Sequence, residues 1–169
     1  LLSPGEKAIV ATSGVFGDRW CKLLEAYNAN AVVIRGELGS AVQAADIEKA
    51  LKDHPDAKAV FCQLTETSTG IVNDVRQFAQ LVSKTSAILV VDAISGLGGQ
   101  ELDTDGWGID VVVSGSQKGL MTAPGLAMAS VSEKAWKIVE AAKNPRFYFD
   151  WRKMRKSLPD NETPWTPPV

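Results

Sequence analysis

Two stretches decide the fold: Ala87-Ile88-Leu89-Val90-Val91-Asp92, and the run Ile109–Val113 followed by Ser114-Gly115-Ser116-Gln117-Lys118-Gly119. Each is a short, nearly all-apolar run, rich in β-branched residues, that closes on polar groups. Runs of this length without polar alternation read as strands buried on both faces, the habit of parallel sheets.

The same alternation extends outward in both directions. Lys7–Thr12, Ala31–Ile34 and Ala57–Gln63 read as further strands. Between them, Asp18–Tyr27, Ala44–Lys52 and Asp74–Lys84 carry apolar residues at helical spacing, for example Trp20, Leu23, Leu24 and Tyr27. After Lys118 come a turn at Met121–Gly125 and a strand over Leu126–Val131. Ser132 then caps a helix reaching about Lys143, Asn144-Pro145 breaks it, and a last helix spans Phe147–Ser157. Strand–helix alternation of this kind predicts an α/β fold, a mostly parallel sheet with helices on both faces. In such sheets ligands gather at the carboxyl ends of strands. Thr65–Gly70, Asp92 and Ser114–Lys118 all lie just past strand ends, so three loops offer polar groups to one crevice.

Composition narrows the class. Hydrophobic residues make up 45% and charged residues 22%, the balance of an ordinary globular domain. The net charge of −2 gives no electrostatic footprint for nucleic acid or anionic membrane, and no apolar run approaches a membrane span. Cys21 and Cys62 lack metal-ligand spacing and read as reduced, buried small hydrophobes, with cytoplasm the default compartment. The single histidine, His54, precedes Pro55 and reads as a surface turn residue. Both termini are abrupt, Leu1-Leu2-Ser3-Pro4-Gly5 and Thr163-Pro164-Trp165-Thr166-Pro167-Pro168-Val169, and predict a piece of a longer protein.

The chemistry centres on Lys118 and Asp92. Small neighbours around Lys118 allow a ligand to approach the backbone closely. A desolvated lysine amine is a usable nucleophile for a carbonyl and, once released, a general base. The loop after Asp92, Ala93-Ile94-Ser95-Gly96-Leu97-Gly98-Gly99, holds no second carboxylate, so a divalent metal would lack ligands. A lone acid suits a single cation, and a protonated pyridine nitrogen fits. An acid for the ring nitrogen and a lysine for the aldehyde are what pyridoxal phosphate requires. The glycines do not form G-x-G-x-x-G. Gly115–Gly119 lacks the first glycine and the Ser/Thr of a P-loop. Thr65–Gly70 reads equally as a solvated turn capping a helix at Ile71 or as a cofactor contact through Thr67 or Ser68.

Taken together, VVDAISGLGG and WGIDVVVSGSQKGLMTAPGLAMASVSEKAW, with Ser13–Arg19, Glu66–Gly70 and Thr163–Pro167, strongly resemble class V aminotransferases of the alanine–glyoxylate / serine–pyruvate type. The resemblance implies the large domain of fold type I pyridoxal phosphate enzymes. Residues 1–146 would be a partial cofactor-binding domain, and 147–169 a helix and extended segment leading toward a further domain. It implies that Lys118 forms the Schiff base and that Asp92 binds the pyridine nitrogen. Ile94 would pack beneath the ring, Phe16 on its other face and Thr67 at its phenolic oxygen, with Gln117 at the phosphate. Thr166, and with less support Thr163, would reach the cofactor phosphate of a neighbouring subunit in a homodimer. The substrates would be a small amino acid, alanine or serine, and a 2-oxo acid, glyoxylate or pyruvate, reacting by a ping-pong route. The family's phosphate-binding turn would precede Leu1, and its substrate-carboxylate arginine would follow Val169. Peroxisomal or mitochondrial signals would also lie beyond these ends.

Three other readings remain beside this one. A lyase of the same fold, such as a cysteine desulfurase, needs a mobile cysteine, and Cys21 and Cys62 fall in a helix and a strand. Family members labelled as hydrogenase subunits exist, but no cluster-binding cysteine pattern supports electron transfer here. A catalytically silent, dimerising fragment would expose Phe149, Trp151 and Trp165 as apolar surface.

Overall fold

The computed structural model describes residues 1–166. In chain order the elements are β1 (Lys7–Thr12), α1 (Val15–Ala26), β2 (Asn30–Arg35), α2 (Ala44–Asp53), β3 (Ala59–Gln63), β4 (Thr65–Glu66) and β5 (Ile71–Val72). There follow α3 (Val75–Val82), β6 (Ile88–Asp92), α4 (Thr104–Trp107), β7 (Val111–Gly115), β8 (Ala127–Val131), α5 (Glu133–Ala141) and α6 (Trp151–Ser157). Six strands form one sheet in the order β2-β1-β3-β6-β7-β8. All neighbours pair parallel except β7 and β8, which the loop carrying Lys118 joins antiparallel. The α/β, mostly parallel architecture is the one the sequence predicts.

Strand periodicity sorts the core into two layers. Ile9, Ala11, Val60, Cys62, Leu89 and Val91 face α2, α3 and α4, where Ile47, Phe78 and Val82 are buried. Ala8, Val10, Phe61, Ile88 and Val90 face the other way, toward Leu24 of α1 and Ala135 of α5, with Trp151 of α6 packed alongside. The chain steps from β1 to β2 on one side, then crosses back past β1 to β3. Right-handed crossovers in opposite directions place α1 and α2 on opposite faces and open a crevice above the ends of β1 and β3.

Several boundaries differ from expectation, each for a physical reason. No helix begins at Ile71: Ile71–Val72 pairs antiparallel with Thr65–Glu66, and Gly70 at φ +73° closes the small hairpin. The helix starts at Val75, where the Asp74 carboxylate accepts the Gln77 amide. The last helix starts at Trp151, four residues later than predicted, because Asp150 caps it and accepts the Arg152 amide and guanidinium. Phe147 and Tyr148 instead pack against Trp165. The short helix α4 went unpredicted; Asp103 caps its start and Gly108, at φ +72°, ends it. Residues 167–169 of the predicted C-terminal segment lie outside the described residues. Among the described residues no helix is long and apolar enough to cross a membrane.

One buried acid ties together the strands that carry the candidate site. Asp110 is 7% exposed. Its carboxylate accepts the Leu89 amide at 3.0 Å and the Ser132 hydroxyl at 2.7 Å, and its carbonyl accepts the Ser132 amide. It therefore fixes β6 to the start of β7 and to the cap of α5. Asp110→Ala should lower the unfolding free energy by about 2 kcal/mol, because two polar groups lose a charged partner. Asp110→Asn, which keeps an acceptor, should cost roughly half as much. Urea denaturation with an unchanged slope is the check.

Candidate active site

Asp92 ends β6 at the centre of the sheet, and its Oδ1 accepts the Ile94 amide at 3.0 Å. Among the described residues Oδ2 has no hydrogen-bond partner. Burial pushes this carboxyl above its ordinary range. The Ile94 hydrogen bond opposes the shift, the nearby Glu66 charge adds to it, and Arg19 pulls it back.

Lys118 follows β7 on a loop pinned at its roots. The Ser116 amide donates to the Leu126 carbonyl, the Ser116 hydroxyl to the Ala123 carbonyl, and the Thr122 hydroxyl to the Ser116 carbonyl. Gly119 sits so near the loop after Asp92 that a Cβ there would lie 2.2 Å from the Leu97 carbonyl oxygen. The Lys118 side chain itself is exposed.

A third loop completes the enclosure. Thr67, in the turn between β4 and β5, donates to the Ser95 hydroxyl at 2.6 Å and so bridges to the loop after Asp92. Phe16 lies in the first turn of α1, with the Arg19 guanidinium 5.0 Å from its ring centroid, a cation–π contact. The result is a cleft of about 350 Å³. Phe16, Thr67, Asp92, Ile94, Gln117 and Lys118 all line it, so six of the seven predicted site residues meet in one place. Thr166 does not line it. Thr166 is exposed, its carbonyl accepting the Tyr148 hydroxyl at 3.4 Å, and Thr163 donates to the Trp165 carbonyl.

The walls also include Arg19, Trp20, Leu23, Thr65, Ser95 and Val113. Sequence reasoning assigned Trp20 and Leu23 to a core face and passed over Arg19. With α1 starting at Val15, Phe16, Arg19, Trp20 and Leu23 share one helical face, and that spacing was the available signal. Thr65 Oγ1 is buried without a partner. A larger apolar hollow of about 890 Å³ lies alongside, reaching Leu1 and Phe149, but neither an acid nor a lysine lines it.

The donor set has a definite chemical character. An acid with a free oxygen, an amine, an aromatic ring and the aliphatic Ile94 and Val113 lining one cleft suit a flat cationic heteroaromatic that carries a carbonyl. The cysteines stand apart. Cys62 is fully buried on β3 and its thiol is pushed far up by burial; Cys21 is half-buried and raised chiefly by burial too. Neither lines the cleft. Among the described residues no group of three or more His, Cys, Asp or Glu side chains could hold a metal ion.

Comparison with known proteins agrees with this geometry. Residues 1–146 match the family described as Aminotransferase class-V. The chain is 42% identical to a protein of Synechococcus sp. named soluble hydrogenase, small subunit, over 99% of this chain and 44% of that one. It is 36% identical to an L-aspartate–glyoxylate aminotransferase of Paracoccus denitrificans, over 99% of this chain and 43% of that one. The crystal structure of an alanine–glyoxylate aminotransferase from Nostoc sp. superposes with a TM-score of 0.93 at 26% identity, over 99% of this chain and 45% of that one. The chain thus spans less than half the length of the proteins it matches. With an aspartate and a lysine at adjacent strand ends of a parallel sheet, and a match over residues 1–146, the chain belongs to the class V aminotransferase family.

Proposed function

We propose that this chain is the central, cofactor-binding part of a pyridoxal phosphate-dependent aminotransferase. The observation that carries the reading is the convergence of Asp92 and Lys118 on one cleft with an aromatic wall. The residues fit the cofactor: Asp92 offers a desolvated acid with an unpartnered oxygen, and Thr65 Oγ1 is a buried, unsatisfied hydroxyl at the same site. When bound, the cofactor supplies an electron sink that makes the substrate's α-proton acidic.

The chain's own residues do the rest. Lys118 would hold the cofactor's aldehyde through Nζ and, as a free amine, would be the base placed to carry the substrate's α-proton. Asp92 would pair with the protonated ring nitrogen. Phe16 and Ile94 would confine the ring, Gln117 would approach the phosphate, and Thr67 would donate to the phenolic oxygen if the Thr67–Ser95 bond reversed so that the Ser95 hydroxyl became its donor. Thr166 serves the cofactor of a second subunit in a homodimer. The aromatic group of Phe147, Tyr148 and Trp165 beside it, with Phe147 exposed, supports an interface there.

The reaction is transfer of an amino group from a small amino acid to a 2-oxo acid in two half-reactions. Glyoxylate is the favoured acceptor, since it appears in the names of both aminotransferase relatives given above. Alanine or serine is the donor class implied by the sequence motifs.

Two experiments test this reading. Incubation with pyridoxal phosphate should give a visible absorption band, and borohydride should then fix the label on Lys118. Lys118→Ala should abolish both the label and turnover; near-normal turnover of that variant without added amine would sink the assignment. The second test uses Asp92. Folding makes this carboxyl harder to ionise, so it opposes folding once the pH exceeds the unfolded carboxyl range of about 4. Asp92→Asn should therefore raise the melting temperature of the cofactor-free protein at pH 7 by about 1–3 °C. The same change should weaken pyridoxal phosphate binding by about tenfold or more, because the ring nitrogen loses a charged partner. Calorimetry and absorbance titration read the two effects, which must run in opposite directions.

A further inference from the structure

Glu66 is 0% exposed, and no cation is paired to it among the described residues. A buried carboxylate is costly unless its oxygens are well satisfied. Here they are. Oε1 accepts the Ser68 hydroxyl at 2.6 Å, the Ser68 amide at 3.1 Å and the Phe16 amide at 3.3 Å. Oε2 accepts the Gly17 amide at 2.8 Å. Burial alone would push this carboxyl up, but the Ser68 hydroxyl and the three amides outweigh it and hold it below the ordinary range.

Two of these donors belong to the first turn of α1, whose own N-cap, Gly14, supplies no side chain. Ser68 adds a third bond, its hydroxyl accepting the Val15 amide at 3.0 Å. The end of β4 and the turn after it thus satisfy three successive amides that a helix start would otherwise leave open. Gly14 lets the two segments meet: a Cβ there would lie 2.6 Å from the Glu66 side chain. The same turn reaches the opposite way through Thr67, which is bonded to Ser95 beyond Asp92. Glu66 does not line the cleft.

We infer that Glu66 is a positioning residue: its buried carboxylate holds the Phe16 wall of the cleft to the Thr67–Ser95 side and so sets the gap into which a flat ring fits. The inference rests on the pyridoxal phosphate reading for the identity of that ring. Its structural half concerns the amides of residues 15–17 alone.

The test compares the full chain with Glu66→Gln and Ser68→Ala by amide hydrogen exchange and by titration with pyridoxal phosphate. In Glu66→Gln an amide N–H₂ faces backbone donors, so exchange at residues 15–17 should accelerate about tenfold or more, with Ile88–Val91 as protected as in the parent. Cofactor affinity should fall by about tenfold, while borohydride labelling of Lys118 recovers at saturating cofactor. Ser68→Ala, which removes the shortest bond and keeps the charge, should show the same pattern at a few-fold scale; it carries the test if Glu66→Gln does not fold. Unchanged exchange at 15–17, unchanged affinity despite faster exchange, or parallel acceleration across Ile88–Val91 each overturns the positioning role. A parent chain that neither binds pyridoxal phosphate nor labels at Lys118 overturns the cofactor reading instead. In that case exchange at residues 15–17 still decides whether Glu66 holds the wall.

Discussion

Burial of the central strands on both faces is the constraint from which the site follows. β3 has no exposed residue, and β6 is buried up to Asp92. Strands enclosed in this way can place polar chemistry only at their ends. Parallel pairing then puts those ends in one row, with Gln63 beside Asp92 and Asp92 beside Val113 in register. A sheet of mixed direction would scatter the same residues over two edges. The antiparallel strand β8 joins only at the margin, where the chain has already delivered Lys118.

Two carboxylates lie near each other at this edge, and their surroundings drive them apart. Both are desolvated. Glu66 receives hydrogen bonds on both oxygens and stays below the usual carboxyl range. Asp92 receives one and rises above it, with the Glu66 charge adding to the rise. One acid is therefore satisfied by the protein, while the other is left wanting a cation. That difference separates a structural acid from one suited to a ligand. It also means the fold carries a local cost at Asp92 that a positively charged ligand would relieve.

The main sheet, and Asp92 and Lys118 at its strand ends, were legible because they rest on local signals; Phe16, Ile94 and Gln117 came only with the family resemblance, and the structure brings them to the same cleft. Val-rich runs mark buried strands, and a polar residue closing such a run marks a strand end. What was not legible depends on partners distant in sequence. The start of α1 at Val15 is set by Glu66 and Ser68, some fifty positions away in the chain, so a reading from apolar spacing alone began it at Asp18. The hairpin at Thr65–Val72 consists of two-residue strands, too short to leave a periodicity. Of the turn's hydroxyls, Ser68 bonds Glu66 as part of the scaffold, while Thr67 lines the cleft. Arg19 was missed because an exposed arginine on a helix carries no distinguishing mark until its neighbour Phe16 is known to share its face.

The composition around Lys118 has a structural explanation that does not depend on its chemistry. Ser116 is buried and its backbone and hydroxyl bond to three different residues of the following loop and strand. Gly119 lies against the Leu97 carbonyl, and Gly98, at φ +86°, lies against Gly119 in return. Backbone meets backbone here, and backbone cannot yield as a flexible side chain would. Two loops from adjacent strand ends are thereby locked at a fixed separation. Gln117 and Lys118 lie between these anchors, and both line the cleft. The small residues position the lysine, and because their tolerance for a side chain is set by a carbonyl rather than by a ligand, that requirement holds whether or not a cofactor is bound.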